Sequence, residues 1–358
     1  MSGAISAATG GALGLLIADS AASRRTLDAL TRQAGDGLIS DTLGGLGGTS
    51  ASLSAALGPA IARNQALQDG IDAASGRMQV AQTALTQMSA IASSFYAQTE
   101  TLNGLDPQSV QTVAADARAA LAQVAGLLDS QDGGTYVFAG SASNQPPIAD
   151  PDAIGSSGFA TQIAAMVAGL GSNGLSVAGS ARAAAASNVP GTSPFAPSAT
   201  AANRAIVATG EAGQTVPTGM LASANGDAVS AGTATTGSYS RDIMVALATL
   251  GGLSGAPAGA AGFADLVGSV RASLGGAIVA LNTDAGIMGD RQAALTTTKT
   301  ELGLTQTALS GQVSGVQQVD MAATLSRLTQ AQAQLSASYQ LISSVQALSL
   351  TKFLSPGA

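Results

Sequence analysis

The stretch DMAATLSRLTQAQAQLSASYQLISSVQALSLTKFL, Asp320 to Leu354, decides the fold. Its large side chains fall at Met321, Leu325, Leu328, Leu335, Tyr339 and Ile342, in steps that alternate four and three. Gln332 fills the one slot of that ladder that is not apolar. The spacing predicts a helix with a heptad seam, and such a seam is stable only when buried against another helix. The opposite face carries Ser, Thr, Gln and Ala. Arg327 and Lys352 are the cations of the stretch and Asp320 its only acid. A solvated helix back carries more charge than this, so the pattern predicts burial on both sides, in an assembly.

Composition points the same way. Charged residues make up 10% of the 358 and aromatic residues 3%, and Cys, His and Trp are absent. The core must be built from Ala, Leu, Val, Ile and Met, a supply that suits long helices. Without Cys there is no disulfide or thiolate site, and without His neither a common zinc site nor imidazole acid–base catalysis. The net charge of −7 leaves no basic stripe for phosphates, so nucleic acid is not an expected partner. The apolar run from Ala12 to Ala18 is too short to cross a bilayer. No Lys or Arg precedes it, so the expectation is export without a cleaved signal and no membrane partner.

Working back from the last helix, Leu295, Leu302 and Leu309 lie seven apart in a helical region read from Phe263 to Leu309, which also carries Leu266, Val270, Leu274, Ile278 and Leu281. Gly311 and Gly315 are expected to weaken the chain between the two frames. A shorter helix is read over Tyr239–Leu250. Near the other end, Ile71, Met78, Leu85, Met88, Ile91 and Phe95 keep a three/four rhythm within a helix read from Leu57 to Gln98, with Pro59 in its first turn. These six are the expected rod core. Asp106 and Pro107 read as N-cap and first residue of a helix to Ser130. Tyr136–Phe138, between Gly133-Gly134 and a Ser/Asn/Pro cluster, reads as a hairpin arm. Residues 1–22 are Gly-rich and make a marginal isolated helix; Ser20–Ala34 reads better, and 35–50 reads as a loop. Residues 149–235 lack helical rhythm and read as mostly β or irregular, with short strands at Ala205–Val207 and Gln214–Leu221.

The expected fold is mainly α. Long N- and C-terminal helices form an elongated antiparallel coiled-coil bundle with a short β-hairpin and an inserted β-rich or irregular domain. The expected divisions are an assembly segment over 1–50, a helical rod part with the hairpin over 51–148, and an outward-facing insertion over 149–238. A second rod part follows over 239–310, then a coiled-coil assembly helix over 311–358.

LSRLTQAQAQLSASYQ and the ending LSLTKFL resemble the C-terminal helix of the bacterial flagellin superfamily. LDALTRQAGDGLISD (27–41) and IDAASGRMQVAQTALTQM (71–88) resemble its N-terminal region, although GLISDTLGGLG replaces the Arg and paired Asp usual in the loop. YVFAGSASNQPPI (136–148) and GQTVPTGMLASANG (213–226) are similar to the hook–filament junction branch, the third hook-associated proteins. The resemblance implies a structural subunit, exported through the flagellar type III apparatus with a chaperone. It implies assembly with copies of itself and other flagellar axial proteins, at an extracellular site on the flagellum. It implies no cofactor. A filament flagellin fits the terminal motifs as well, and a type III-secreted coiled-coil effector is a third reading.

No catalytic constellation emerges. A Ser–Lys pair would need Lys299 or Lys352, both on heptad helices. The Gly clusters at 10–14 and 44–48 lack the Lys-Ser/Thr of a phosphate loop. Asp150-Pro151-Asp152 reads as a solvated turn, since a calcium loop needs more oxygens. The expected site is therefore an interface. Met321, Leu325, Leu328, Leu335, Tyr339 and Ile342 form its seam, packed either within the chain alone or also against neighbouring subunits.

Overall fold

A computed structural model describes residues 2–209 and 214–353, with side chains for 14–209 and 214–344. The LSLTKFL ending, the side chains of the first glycines and Gly213 lie outside those described side chains. The fold is mainly helical, with two small antiparallel hairpins as its sheets among the described residues. It divides into two compact units, one of residues 66–303 and one of residues 1–65 with 304–358.

The larger unit is organised by two long helices, α2 (Gly48–Thr101) and α8 (Phe263–Gln317), each of which also runs into the smaller unit. Within 66–303 they are antiparallel in a constant register. Lys299 pairs with Asp72, Ser89 bonds Asn282, and Arg271 pairs with Glu100. Ile71, Met78, Leu85 and Ala92 stand seven apart on α2 and are buried; Leu274, Leu281, Met288 and Leu295 do the same on α8. Met88 and Phe95 are buried with them, and Ile91 is half-buried at the edge. Ala74, Ala81, Ala277 and Ala280 fill the slots between. Ala at those slots keeps the backbones close, so a core with few aromatic rings still packs without voids.

Pro59 lies inside α2, not in its first turn, because the helix starts at Gly48. A proline there forgoes one main-chain bond. Asp106 caps α3 (Pro107–Leu128): its carboxylate accepts from the N–H groups of Gln108 and Ser109. The hairpin that follows pairs β1 (Gln131–Asp132) with β2 (Thr135–Tyr136). Its two turn residues, Gly133 and Gly134, have φ of 55° and 83°, a left-handed pair that other residues rarely adopt. Val137 and Phe138 leave the strand and bury themselves in the core.

Residues 149–238 differ from expectation. α4 (Gly158–Ala168) and α5 (Gly174–Ala186) are helices, followed by a short α6 (Pro197–Ala201). Strands are confined to β3 (Ile206–Ala208) and β4 (Thr215–Pro217). Ala and Gly dominate α5, where Val177 is buried, whereas Phe159, Ile163 and Val167 recur every fourth residue on α4 and are buried together. What they bury against is α7 (Tyr239–Gly252), every residue of which is buried, with α3, α4 and α5 around it. A helix apolar on all sides needs such a jacket. Gly251 and Gly252 let it approach α3 and α4; a Cβ on Gly251 would lie 2.9 Å from Arg118.

α7 is not free of charge. Arg241 donates from Nε to the Ser223 carbonyl (3.0 Å), from Nη1 to the carbonyls of Ala185 and Ser187, and from Nη2 to Asn188. Its guanidinium lies 5.0 Å from the centre of the Phe195 ring. Asp242 accepts from Thr236 N–H (2.6 Å) and from the hydroxyls of Thr235 and Thr236. Both charges are thus saturated within the fold, as burial demands.

A second buried acid ties the central loop to α8. Asp284 sits at a core-facing position and accepts main-chain N–H bonds from Gly226 (2.5 Å), Asp227 (2.7 Å) and Ala228 (2.7 Å). Asp227 in turn binds Arg204 and Arg291. Burial pulls its carboxyl up, but the two guanidinium groups outweigh that and hold it below the usual range. Replacing Asp284 by Ala leaves three N–H groups without an acceptor. It is expected to cost about 3 kcal/mol or more in urea unfolding, with fast amide exchange confined first to 226–228. Unchanged unfolding would refute the clamp.

Asp129, the C-cap of α3, accepts the N–H of Ile148 at 2.9 Å and so holds the hairpin loop closed. Burial raises its carboxyl to about 6, the hydrogen bond opposing. A carboxyl raised on folding binds its proton more tightly when folded. Stability therefore falls as pH rises through about 4 to 6 and stays lower above. Asp129→Asn keeps the acceptor and removes the charge. The variant is expected to melt higher than the parent at pH 8 and to lose that advantage at pH 4. An equal shift at both pH values would contradict the assignment.

Candidate assembly surface

The smaller unit pairs α1 (Ser2–Asp36) with α9 (Met321–Phe353). The Gly-rich start does not break α1, which packs along α9 instead of standing alone. α8 likewise runs through Gly311 and Gly315 and stops at Gln317. The break comes at 318–320, where Gln318 bridges Leu38 and the Val319 N–H donates to the Gly37 carbonyl. Asp320 then caps α9 by accepting from Ala323 N–H at 3.0 Å. Gln317 reaches Ser54 of α2 at 2.8 Å, which ties a third helix in. With 38 beside 318 and Arg24 bonded to Tyr339, α1 and α9 are antiparallel.

The seam between them is not the one the large side chains suggest. On α9 the buried positions are Thr324 (5% exposed), Ala331 (8%) and Ser338 (7%), seven apart. Leu328, Leu335 and Ile342 flank them, half-buried. On α1 the matching ladder is Leu16, Ser20, Ser23, Leu27, Leu30 and Ala34, with both serines buried. Ser20 satisfies its hydroxyl on the Ile17 carbonyl, 2.8 Å away. Small residues thus face small residues and the helices come close.

That phase leaves the other half of the ladder outside. Met321 is 44% exposed, Leu325 49%, Tyr339 40% and Leu341 54%; on α1, Leu15 is 74% and Ile17 52% exposed. Of the six seam residues read from sequence, Leu328, Leu335 and Ile342 are half-buried beside α1, Tyr339 meets α1 at its edge through Arg24, and Met321 and Leu325 are exposed. The Arg24 guanidinium lies 5.3 Å from the Tyr339 ring centre and covers part of it. Met321 and Leu325 share that flank of α9, whereas Leu341 lies on the opposite flank, so large apolar groups are left open on both sides of the α1 contact.

Among the described residues no three His, Cys, Asp or Glu gather as metal ligands. Lys299 is held by both oxygens of Asp72, at 2.5 and 2.7 Å. Asp150 accepts the Ala153 N–H in a turn.

Residues 272–354 match the family model of the bacterial flagellin C-terminal helical region. The match takes in all but the first nine residues of α8 and all of α9. The matched segment is 83 of the 358 residues, and over it the chain is similar to the flagellin superfamily. No curated protein matches the chain.

Two substitutions separate the faces of α9. Ser338→Leu forces a large side chain into the α1–α9 contact and is expected to lower the melting temperature of the monomer and its helix content. Leu325→Asp touches nothing buried and is expected to leave both unchanged while abolishing self-association. The reverse pattern, read by circular dichroism and sedimentation, would show the phase to be wrong.

Proposed function

We propose that the chain is the hook–filament junction subunit of a bacterial flagellum, an adaptor layer between hook-type and filament-type subunits. The observation that carries the assembly part is the exposed ladder Met321, Leu325 and Tyr339 on a helix similar to the flagellin C-terminal type. Leu328, Leu335 and Ile342 hold α9 to α1 within one subunit, and the outer ladder packs on the next, in a heterologous contact that repeats around a tube. The helices of 66–303 act as a stiff rod wall, with Ile71, Met78, Leu85, Met88, Ile91 and Phe95 as its core.

The junction role rests on the motif YVFAGSASNQPPI. In this fold it is a short hairpin whose Val137, Phe138 and Ile148 enter the core and whose loop is closed by Asp129. A filament flagellin shares the terminal helices, and only this central part separates the two readings. Partners under this proposal are copies of the chain, hook-associated protein, flagellin, the type III export apparatus and an export chaperone. The site of action is extracellular.

Immuno-electron microscopy of intact cells, with the label in residues 149–209, tests the role. A single spot where hook meets filament is expected. Label along the whole filament would make the chain a flagellin, and no flagellar label would favour a secreted coiled-coil protein.

A further inference from the structure

The larger unit holds a feature that the terminal helices do not use. Arg77, on α2, lines a cleft with Tyr136, Ser143, Ala205 and Thr218. The walls are fixed by main-chain bonds: Tyr136 N–H to the Ser143 carbonyl (2.8 Å), and the N–H groups of Thr218 and Gly219 to the Ala205 carbonyl. Among the described residues the Arg77 guanidinium has no hydrogen bond and no ion pair. Every other basic side chain of 66–303 is engaged. Arg118 binds Gly251 and Ser254, Arg182 binds Ser269, and Arg241 binds the carbonyls around α7. Arg204, Arg271, Arg291 and Lys299 are in ion pairs. With 16 acidic and 8 basic residues this unit carries a net charge of −8, against −7 for the whole chain.

The cleft has about 10 Å³ of free space, room for about one water-sized atom. It cannot enclose a whole phosphate ion or metabolite, but it can take one oxygen of an anion. A guanidinium at such a cleft is an arrangement that receives one oxygen of a carboxylate. We propose that Arg77 binds an Asp or Glu side chain of a second copy of the chain, as a lateral contact between the larger units. The acidic surplus of that unit supplies the carboxylate, and Arg77 is the cation that folding leaves unpaired for it. This rests on the assembly reading above and adds a contact outside α1 and α9.

Sedimentation velocity on the full chain, with thermal melts of the dilute monomer, tests it using Arg77→Gln, Arg77→Lys and Leu325→Asp. Arg77→Gln is expected to melt as the parent does and to self-associate about tenfold more weakly, the equivalent of about 1.4 kcal/mol. Arg77→Lys is expected to fall between the two. Association of Arg77→Gln at the parent's strength overturns the proposal. So does a lower monomer melting temperature, which would give Arg77 a partner in its own fold. Inorganic phosphate that raises the parent's melting temperature but not that of Arg77→Gln also overturns it, in favour of a small-anion site. Loss of association in Leu325→Asp with none in Arg77→Gln keeps the terminal surface and removes this contact. A parent chain that stays monomeric removes both.

Discussion

Antiparallel packing of α2 on α8, in a register that repeats every seven residues, is the interaction on which the structure depends. With almost no aromatic side chains, the chain cannot fill a wide core. It can bring helices close over a long distance, with Leu and Met every seventh position and Ala between them. A four-three spacing keeps such a stripe aligned along tens of residues. Three polar bridges at successive levels, Asp72–Lys299, Ser89–Asn282 and Glu100–Arg271, stand at the same register. Exposed pairs of this kind contribute little energy; their worth here is to favour one alignment over a slip by a turn.

The remaining elements of the larger unit answer a second need. α7 is buried on every side, and α3, α4 and α5 exist to surround it. The charges inside, Arg241, Asp242 and Asp284, are met by main-chain carbonyls, main-chain N–H groups and hydroxyls rather than by free water. Each also fixes an irregular segment: Arg241 the 185–188 turn, Asp242 the 235–236 turn, and Asp284 the 226–228 loop. Breaking one partner of such a set costs more than the bond is worth in isolation, because the other partner is left buried.

Much of this was legible from sequence, and the failures have physical causes. α3 and its cap, the Gly-Gly turn and the Leu ladder of α8 follow from local rules. α5 is hidden because Ala, Gly and Ser carry no periodic signal even when one face is buried, whereas α4 could have been found from Phe159, Ile163 and Val167, which recur every fourth residue. Which part of the α9 seam meets α1 is hidden for a related reason. Between close helices the small residues Thr324, Ala331 and Ser338 are the ones inside, and a ladder of large side chains does not reveal them. Asp284 could have been found: it lies three after Leu281 and four before Met288, an acid within an apolar ladder. Pro59 misled because a proline that suits a first turn can also be carried within a long helix.

The central claim is that the outer ladder of α9 is covered by another subunit. The chain has no cysteine, so a single Leu325→Cys gives one thiol on a silent background. Its rate of reaction with a maleimide, compared between dilute monomer and assembled protein, reads that coverage directly. The account predicts rapid labelling of the monomer and strong protection in the assembly. Equal labelling in both states would contradict it.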